Sequence, residues 1–247
     1  MRIGICLAGG GAKGSYEAGV IRALFDKSIE FTSVSGTSIG AVNGYYIYTN
    51  NVEKLSDMWT NIQKINIKGL KIKNNTVDNN IILNELSKLT NNNNSNINFY
   101  VNYIEVNNKK LNEKIVNVDN LRKEDQLNSI KYSSLLPFNP QSTLPFKYQF
   151  KKDLSEGLYD GFNLDGGLVN NELLLPLTKD NLDKIILISM KHDYILPEYI
   201  KNIYNEENII VVRPKTIFEK NDTLRFEQEF CSRIYKEGYE IGQKLNI

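Results

Sequence analysis

Two short apolar runs, each stopped by glycines and followed by a helical pattern, constrain the fold of this chain more than any other feature. The run ending at Leu7 meets Gly9-Gly10-Gly11, and over 15–27 the residues Ala18, Ile21, Leu24 and Phe25 recur at helical spacing. Residues 31–35 are again strand-like, Gly36 and Gly40 bracket a tight turn, and 41–48 continue as an apolar helix. This βαβα order predicts a parallel sheet with right-handed crossovers. Further on, 99–103 and 115–118 flank Asn107-Asn108-Lys109-Lys110 and read as a hairpin at the sheet edge. A helix is expected over 123–132, stopped before Pro137. The unbroken apolar stretches within 184–190 and 209–212 suit strands covered on both faces, and a closing helix is expected within 223–245. The expected fold is α/β, in three layers (α/β/α) around a central, mostly parallel sheet.

With 247 residues and 41% hydrophobic residues, the chain is long enough to bury a core as a single domain over 1–247. Thirty Lys and Arg against 29 Asp and Glu leave a formal charge of +1, so no global field would gather nucleic acid. Cys6 and Cys231, with one histidine, fit neither a disulfide framework nor a common zinc site, and no metal or cofactor is expected. The N-terminal apolar run is shorter than a secretory signal, and no segment reaches the ~20 apolar residues of a membrane span. A cytoplasmic protein, at most peripheral to a membrane, is the expectation. From Trp59 to Asn96 the texture turns to Asn, Lys and Ile, with Asn91-Asn92-Asn93-Asn94 as a polar tract, and a cap-like surface excursion is expected there.

Three motifs carry chemistry. Gly9-Gly10-Gly11-Ala12-Lys13-Gly14 fits G-x-G-x-x-G between a strand and a helix. A dinucleotide site also needs an acid at the far end of the second strand, where this chain has Ser35-Gly36-Thr37-Ser38 and its candidate Glu30 stands at the near end. A P-loop needs Ser or Thr after the lysine, and Gly14 stands there. What remains is a loop of exposed backbone N–H groups at a helix start, suited to negative charge. Gly36-Thr37-Ser38-Ile39-Gly40 fits the G-x-S-x-G elbow, a sharp strand-to-helix turn that thrusts a serine hydroxyl out at the sheet's carboxyl edge. The third motif, Asp165-Gly166-Gly167, could equally be an ordinary Asp-Gly turn.

In this order the three motifs resemble the patatin-like phospholipase family of bacterial, single-domain type. The likeness extends through Ala41-Val42-Asn43-Gly44 after the elbow and Leu168-Val169-Asn170-Asn171 after the aspartate, and takes in Ser133-Ser134-Leu135-Leu136-Pro137. It does not reach the Asn-rich region. The resemblance implies a lipid acyl hydrolase working through a Ser–Asp dyad and an acyl-enzyme. Ser38 would be the nucleophile and Asp165 the base, with an oxyanion hole of backbone N–H groups drawn from Gly9, Gly10, Gly11, Ala12 and Ile39. Lys13, Gly14, Gly36, Gly40, Gly166 and Gly167 would support them.

Other readings stay open on the sequence alone. Ser38, Asp165 and His192 also follow the Ser, acid, His order of α/β-hydrolases, although their serine normally comes after more strands. The same dyad could serve an acyltransferase, and a silent lipid-binding protein would keep the fold without the reaction. Lys64, Lys68, Lys71 and Lys73 interleave with aliphatic residues, as a half-buried element or as a cap resting on anionic lipid.

Overall fold

The computed structural model describes residues 1–65, 71–91 and 97–247. In chain order the elements are β1 (Ile3–Leu7), α1 (Gly14–Asp26), β2 (Ser33–Gly36), α2 (Ile39–Tyr48), α3 (Val52–Thr60), β3 (Ile72–Lys73), β4 (Thr76–Val77) and α4 (Asn80–Ser87). They continue with β5 (Asn98–Asn107), β6 (Lys110–Asn117), α5 (Lys123–Ser133), α6 (Phe146–Ser155), β7 (Asn163–Asp165), β8 (Lys184–Ile188), α7 (Glu198–Lys201), β9 (Ile209–Val212) and α8 (Gln228–Gln243).

The main sheet runs β6-β5-β2-β1-β8-β9, with β7 also pairing β5. The pairs β1–β2, β1–β8, β2–β5 and β8–β9 are parallel, whereas β6 and β7 lie antiparallel to β5. The fold is therefore the expected mostly parallel α/β sheet flanked by helices. The β5–β6 hairpin turns at Asn108 and Lys109, both with positive φ (52° and 62°), which the right-handed twist of a tight hairpin requires.

Alternation along β1 explains the layers. Ile3, Ile5 and Leu7 face the main core, shared with α1, α2, α3 and α8, while Cys6 faces a second cluster with Ile185 and Leu187. That second face is covered by α7, the 3-10 turn Leu177–Lys179 and the loops around them. A third cluster joins Ile104, Val106, Tyr159 and Leu164 to Phe150 and Leu154 of α6. Helices α1 and α8 pack closely because Gly19 and Gly238 present bare backbone to each other's helix, where a Cβ would strike Tyr235 or Tyr16 carbonyl oxygens. Both cysteines are buried and unbridged.

The expectation of a surface excursion beginning at Trp59 is corrected. Trp59 is only 1% exposed and stacks on Phe226, and Ile62, Leu86 and Leu89 also belong to the main core. Asn and Lys on the outward faces of α3 and α4 mask an inward face of ordinary helical spacing. The closing helix begins at Gln228, because 220–224 form a separate 3-10 turn. Residues 92–94 of the Asn tract and Lys68 lie outside the described residues.

Candidate active site

Strand β5 works as a ruler that brings two remote segments together. Parallel to it, β2 ends with Gly36 opposite Val101; antiparallel to it, β7 ends with Asp165 opposite Tyr103. The carboxyl ends of β2 and β7 thus approach head on, two residues apart along β5, or about 7 Å at the rise of an extended strand. Ser38 and Asp165 enter the gap between them.

The elbow is held by sterics. Ser38 has φ 56° and ψ −122°, a strained conformation for a residue with a side chain, in the turn from β2 into α2. A Cβ at Gly36 would strike the Gly40 carbonyl, and one at Gly40 would strike the Leu7 carbonyl, so both glycines are required by close backbone approach. The Ser38 N–H donates to Ser133 Oγ at 2.8 Å, and Asp165 N–H donates to the Leu135 carbonyl at 3.0 Å. The end of α5 and the residues just after it therefore pin both residues at once.

Ser38 Oγ donates to Asp165 Oδ2 at 2.6 Å, and Gly167 N–H donates to Asp165 Oδ1 at 2.8 Å. Asp165 is buried, with no cation in a salt bridge to it among the described residues. Burial pushes its carboxyl up to about 6, and the two hydrogen bonds only partly offset this.

The glycine loop after β1 faces the same gap. Gly11 has φ 57°, and a Cβ there would collide with the Thr223 carbonyl. Among the described residues, the N–H groups of Gly10, Gly11 and Ile39 have no backbone partner, and all three residues line the cavity beside Ser38. Two expected donors stand differently: Gly9 N–H is engaged by the Asn171 carbonyl at 3.4 Å, and Ala12 is fully buried away from the cavity wall. Gly166 and Gly167 let the acid's loop approach Asn102 and Asn171, whose side-chain oxygens a Cβ would meet. Asn171 Nδ2 in turn donates to the Gly9 carbonyl at 3.2 Å, and Thr37 Oγ1 donates to Asn102 Oδ1 at 2.7 Å. Acid loop, elbow and glycine loop are thus hydrogen-bonded into one unit.

Lys13 lines the cavity with its Nζ 6.0 Å from the Phe218 ring centroid. Burial lowers its pKa, Lys191 acts in the same direction, and Asp222 opposes both. His192 is exposed on the turn after β8, 3.9 Å from Asp193, and is not part of the cavity wall. The structure does not bring it to Ser38.

Behind the loop, Asn43 Nδ2 donates to Glu17 Oε2 at 2.8 Å and to the Gly14 carbonyl at 3.0 Å, while Trp59 Nε1 donates to Asn43 Oδ1 at 3.0 Å. Gly14 fits here because Ile39 leaves no room for a Cβ. Glu17 is fully buried, and burial holds its carboxyl well above the usual carboxylate range. Glu17→Gln should therefore leave thermal stability near that of the parent, since the amide oxygen still accepts from Asn43. Glu17→Ala leaves a void and an unpaired donor, and should cost about 2–4 kcal/mol in chemical denaturation.

Ser38 and Asp165 open into a cavity of about 390 Å³. Its wall is largely aliphatic and aromatic, including Val42, Val77, Ile82, Leu136, Leu168 and Phe226. Much of this wall comes from β4, α4, the start of α6 and 223–226, which no sequence motif marks. Helical spacing of Phe146, Phe150 and Leu154 was the one signal for α6. Lys71 reaches the cavity, and Lys64 and Lys73 are exposed.

A sequence model of the family described as patatin-like phospholipase matches residues 5–178. The chain belongs to the patatin-like phospholipase family. This patatin-like chain is 46% identical over 56 residues to lysophospholipase NTE1 of Mycosarcoma maydis, covering 23% of the chain and 3% of that protein. It is 43% identical over 63 residues to the patatin-like phospholipase domain-containing protein ZK370.4 of Caenorhabditis elegans, covering 24% of the chain and 5% of that protein. The chain thus matches only a small part of the length of either relative. In fold it is similar to VipD from Legionella pneumophila, with TM-score 0.52 and 14% identity, over 98% of this chain and 66% of that one. It is also similar to the type III effector protein ExoU, with TM-score 0.50 and 11% identity, over 98% of this chain and 52% of that one.

Proposed function

We propose that this patatin-like protein hydrolyses acyl ester bonds of lipids through Ser38 and Asp165. The observation that carries the reading is the 2.6 Å hydrogen bond from Ser38 Oγ to Asp165 Oδ2 in the wall of an apolar cavity. Ser38 Oγ attacks the ester carbonyl as its proton passes to Asp165. The negative charge that develops on the carbonyl oxygen is met by the N–H groups of Gly10 and Gly11 in the glycine loop and of Ile39 at the N-terminus of α2. Collapse breaks the C–O bond, and the departing alkoxide takes the proton from Asp165. Water then attacks the acyl-enzyme, giving its proton to Asp165, and release of the fatty acid returns that proton to Ser38.

A carboxyl near 6 suits this cycle, being a stronger base than an exposed aspartate yet ionised at neutral pH. The cavity selects for a long acyl portion, since each buried CH₂ contributes about 0.8 kcal/mol. Contact with anionic lipid belongs to the same reading, supported by Lys71 at the cavity and Lys73 exposed on the neighbouring strand.

Treatment with a fluorophosphonate followed by peptide mass spectrometry tests the proposal directly. The expected adduct is on Ser38, and labelling elsewhere or none at all argues against it. His192→Ala should keep most of the esterase activity, within about twofold, because its imidazole is exposed and takes no part in the cavity wall around Ser38. A loss as large as that of the serine variant would restore a histidine to the mechanism.

A further inference from the structure

The cavity that holds Ser38 opens beside a segment whose exposure nothing above explains. Leu144, Phe146 and Tyr148 are 49%, 48% and 67% exposed, and everything from 143 to 148 is exposed to solvent. Phe146 also lines the cavity, as does Ile81 of α4, itself 39% exposed. This is where a rim would be: apolar side chains that both border the cavity and face solvent.

The helix that follows explains why these residues stay outside. In α6, Phe150 and Leu154 pack inward on the third core cluster, and Asp153 is buried, accepting from Gln149 Nε2. The opposite face carries Lys147, Tyr148, Lys151 and Lys152, all exposed and set at i, i+4 spacing as 147/151 and 148/152. None of these three lysines makes a salt bridge among the described residues, and Lys73 adds another exposed cation from β3. The acids nearest in sequence are Asp153, which is buried, and Glu156 at the helix's end.

We propose that 143–152 is a membrane-docking surface: Leu144, Phe146 and Tyr148 enter the interface of an anionic phospholipid bilayer, and Lys147, Lys151 and Lys152 bind its headgroups. Charge selects this patch over another set of exposed apolar residues, Ile195, Tyr199 and Ile203, which stands among the exposed carboxylates of Asp193, Glu198 and Glu206. Continuity with the cavity supplies the purpose. A lipid leaving the bilayer past Phe146 and Ile81 reaches Ser38 without exposing its acyl chain to water. The proposal rests on the lipid-hydrolase reading above for that purpose, while the docking itself is measured separately.

The test is co-sedimentation of the full chain, carrying Ser38→Ala so that lipid is not consumed, with vesicles of phosphatidylcholine alone or mixed with phosphatidylserine. Binding should require phosphatidylserine and weaken as salt is raised. Lys147→Gln/Lys151→Gln/Lys152→Gln should weaken it on the order of 100-fold, about fivefold per lysine. Leu144→Ser/Tyr148→Ser should weaken it about tenfold or more. With Ser38 restored, both variants should hydrolyse a short, monomeric ester at the parental rate, and unchanged melting temperatures confirm that they fold. Vesicle binding equal to the parent's in both variants overturns the proposal. So does a parental dimer that Leu144→Ser/Tyr148→Ser converts to monomer with vesicle binding unaltered, since the apolar residues would then serve a second copy. Vesicle binding that follows the proposal in a chain inactive on every ester would instead refute the hydrolase reading and leave the docking surface standing.

Discussion

Ser38→Ala should lower the rate of ester hydrolysis by about 10⁴-fold or more, the scale lost when a serine nucleophile is removed from a preorganised site. The substitution deletes one oxygen and keeps the Cβ, so the elbow, with its Ser133 hydrogen bond to the Ser38 N–H, has no reason to move. The loss should appear in kcat, and fluorophosphonate labelling should vanish with it. Asp165 gives an internal check. Its carboxylate loses the hydroxyl donor at 2.6 Å, one of the two hydrogen bonds that, among the described residues, hold its pKa down against burial. Its titration, followed by NMR, should therefore shift upward in the variant. Activity persisting within tenfold of the parent would remove Ser38 from the reaction.

Asp165→Asn should separate activity from stability. An amide cannot take the serine proton, so hydrolysis should fall by about 10³–10⁴-fold. In the parent, activity should decline as pH drops below about 6, where the carboxyl protonates. Stability runs the other way. The native carboxyl titrates near 6 and the unfolded one near ~3.9, so between these values the native state binds more protons. The stability associated with this group is complete below about pH 4 and is lost as pH rises through 6. At neutral pH the buried, ionised carboxylate therefore costs about 1–3 kcal/mol, a strain the asparagine variant escapes. That variant should melt above the parent at pH 7 and lose its advantage toward pH 4. An asparagine variant less stable than the parent at pH 7, with normal folding, would contradict the raised pKa.

How much of this was legible in the sequence varies with the range of the interaction involved. The units β1–loop–α1 and β2–elbow–α2 are local, with apolar runs ending in glycines, and their boundaries fall within about two residues of those expected from pattern alone. The meeting of Ser38 with Asp165 is not local: it depends on where β2 and β7 stop along β5, a register that no motif encodes across 127 residues. Resemblance supplied that pairing before geometry did. The cavity wall was the least visible part. Val77, Ile81 and Ile82 line it, yet the Asn and Lys around them give the region the composition of a surface loop. The Thr223 carbonyl, which closes over Gly11, acts through its backbone and leaves no mark in residue type.

The position of β1 inside the sheet bears on any dissection of the chain. The family match stops at 178, before β8, yet β1 hydrogen-bonds β8 from Ile3 through Leu7 on the side away from β2. A polypeptide cut at the end of the matched segment would turn β1, five buried residues with no charge among them, into an open edge offering unpaired amides and carbonyls to any neighbouring molecule. Such a fragment should self-associate through that edge, and the glycine loop, which begins where β1 ends, would lose its anchorage in the process.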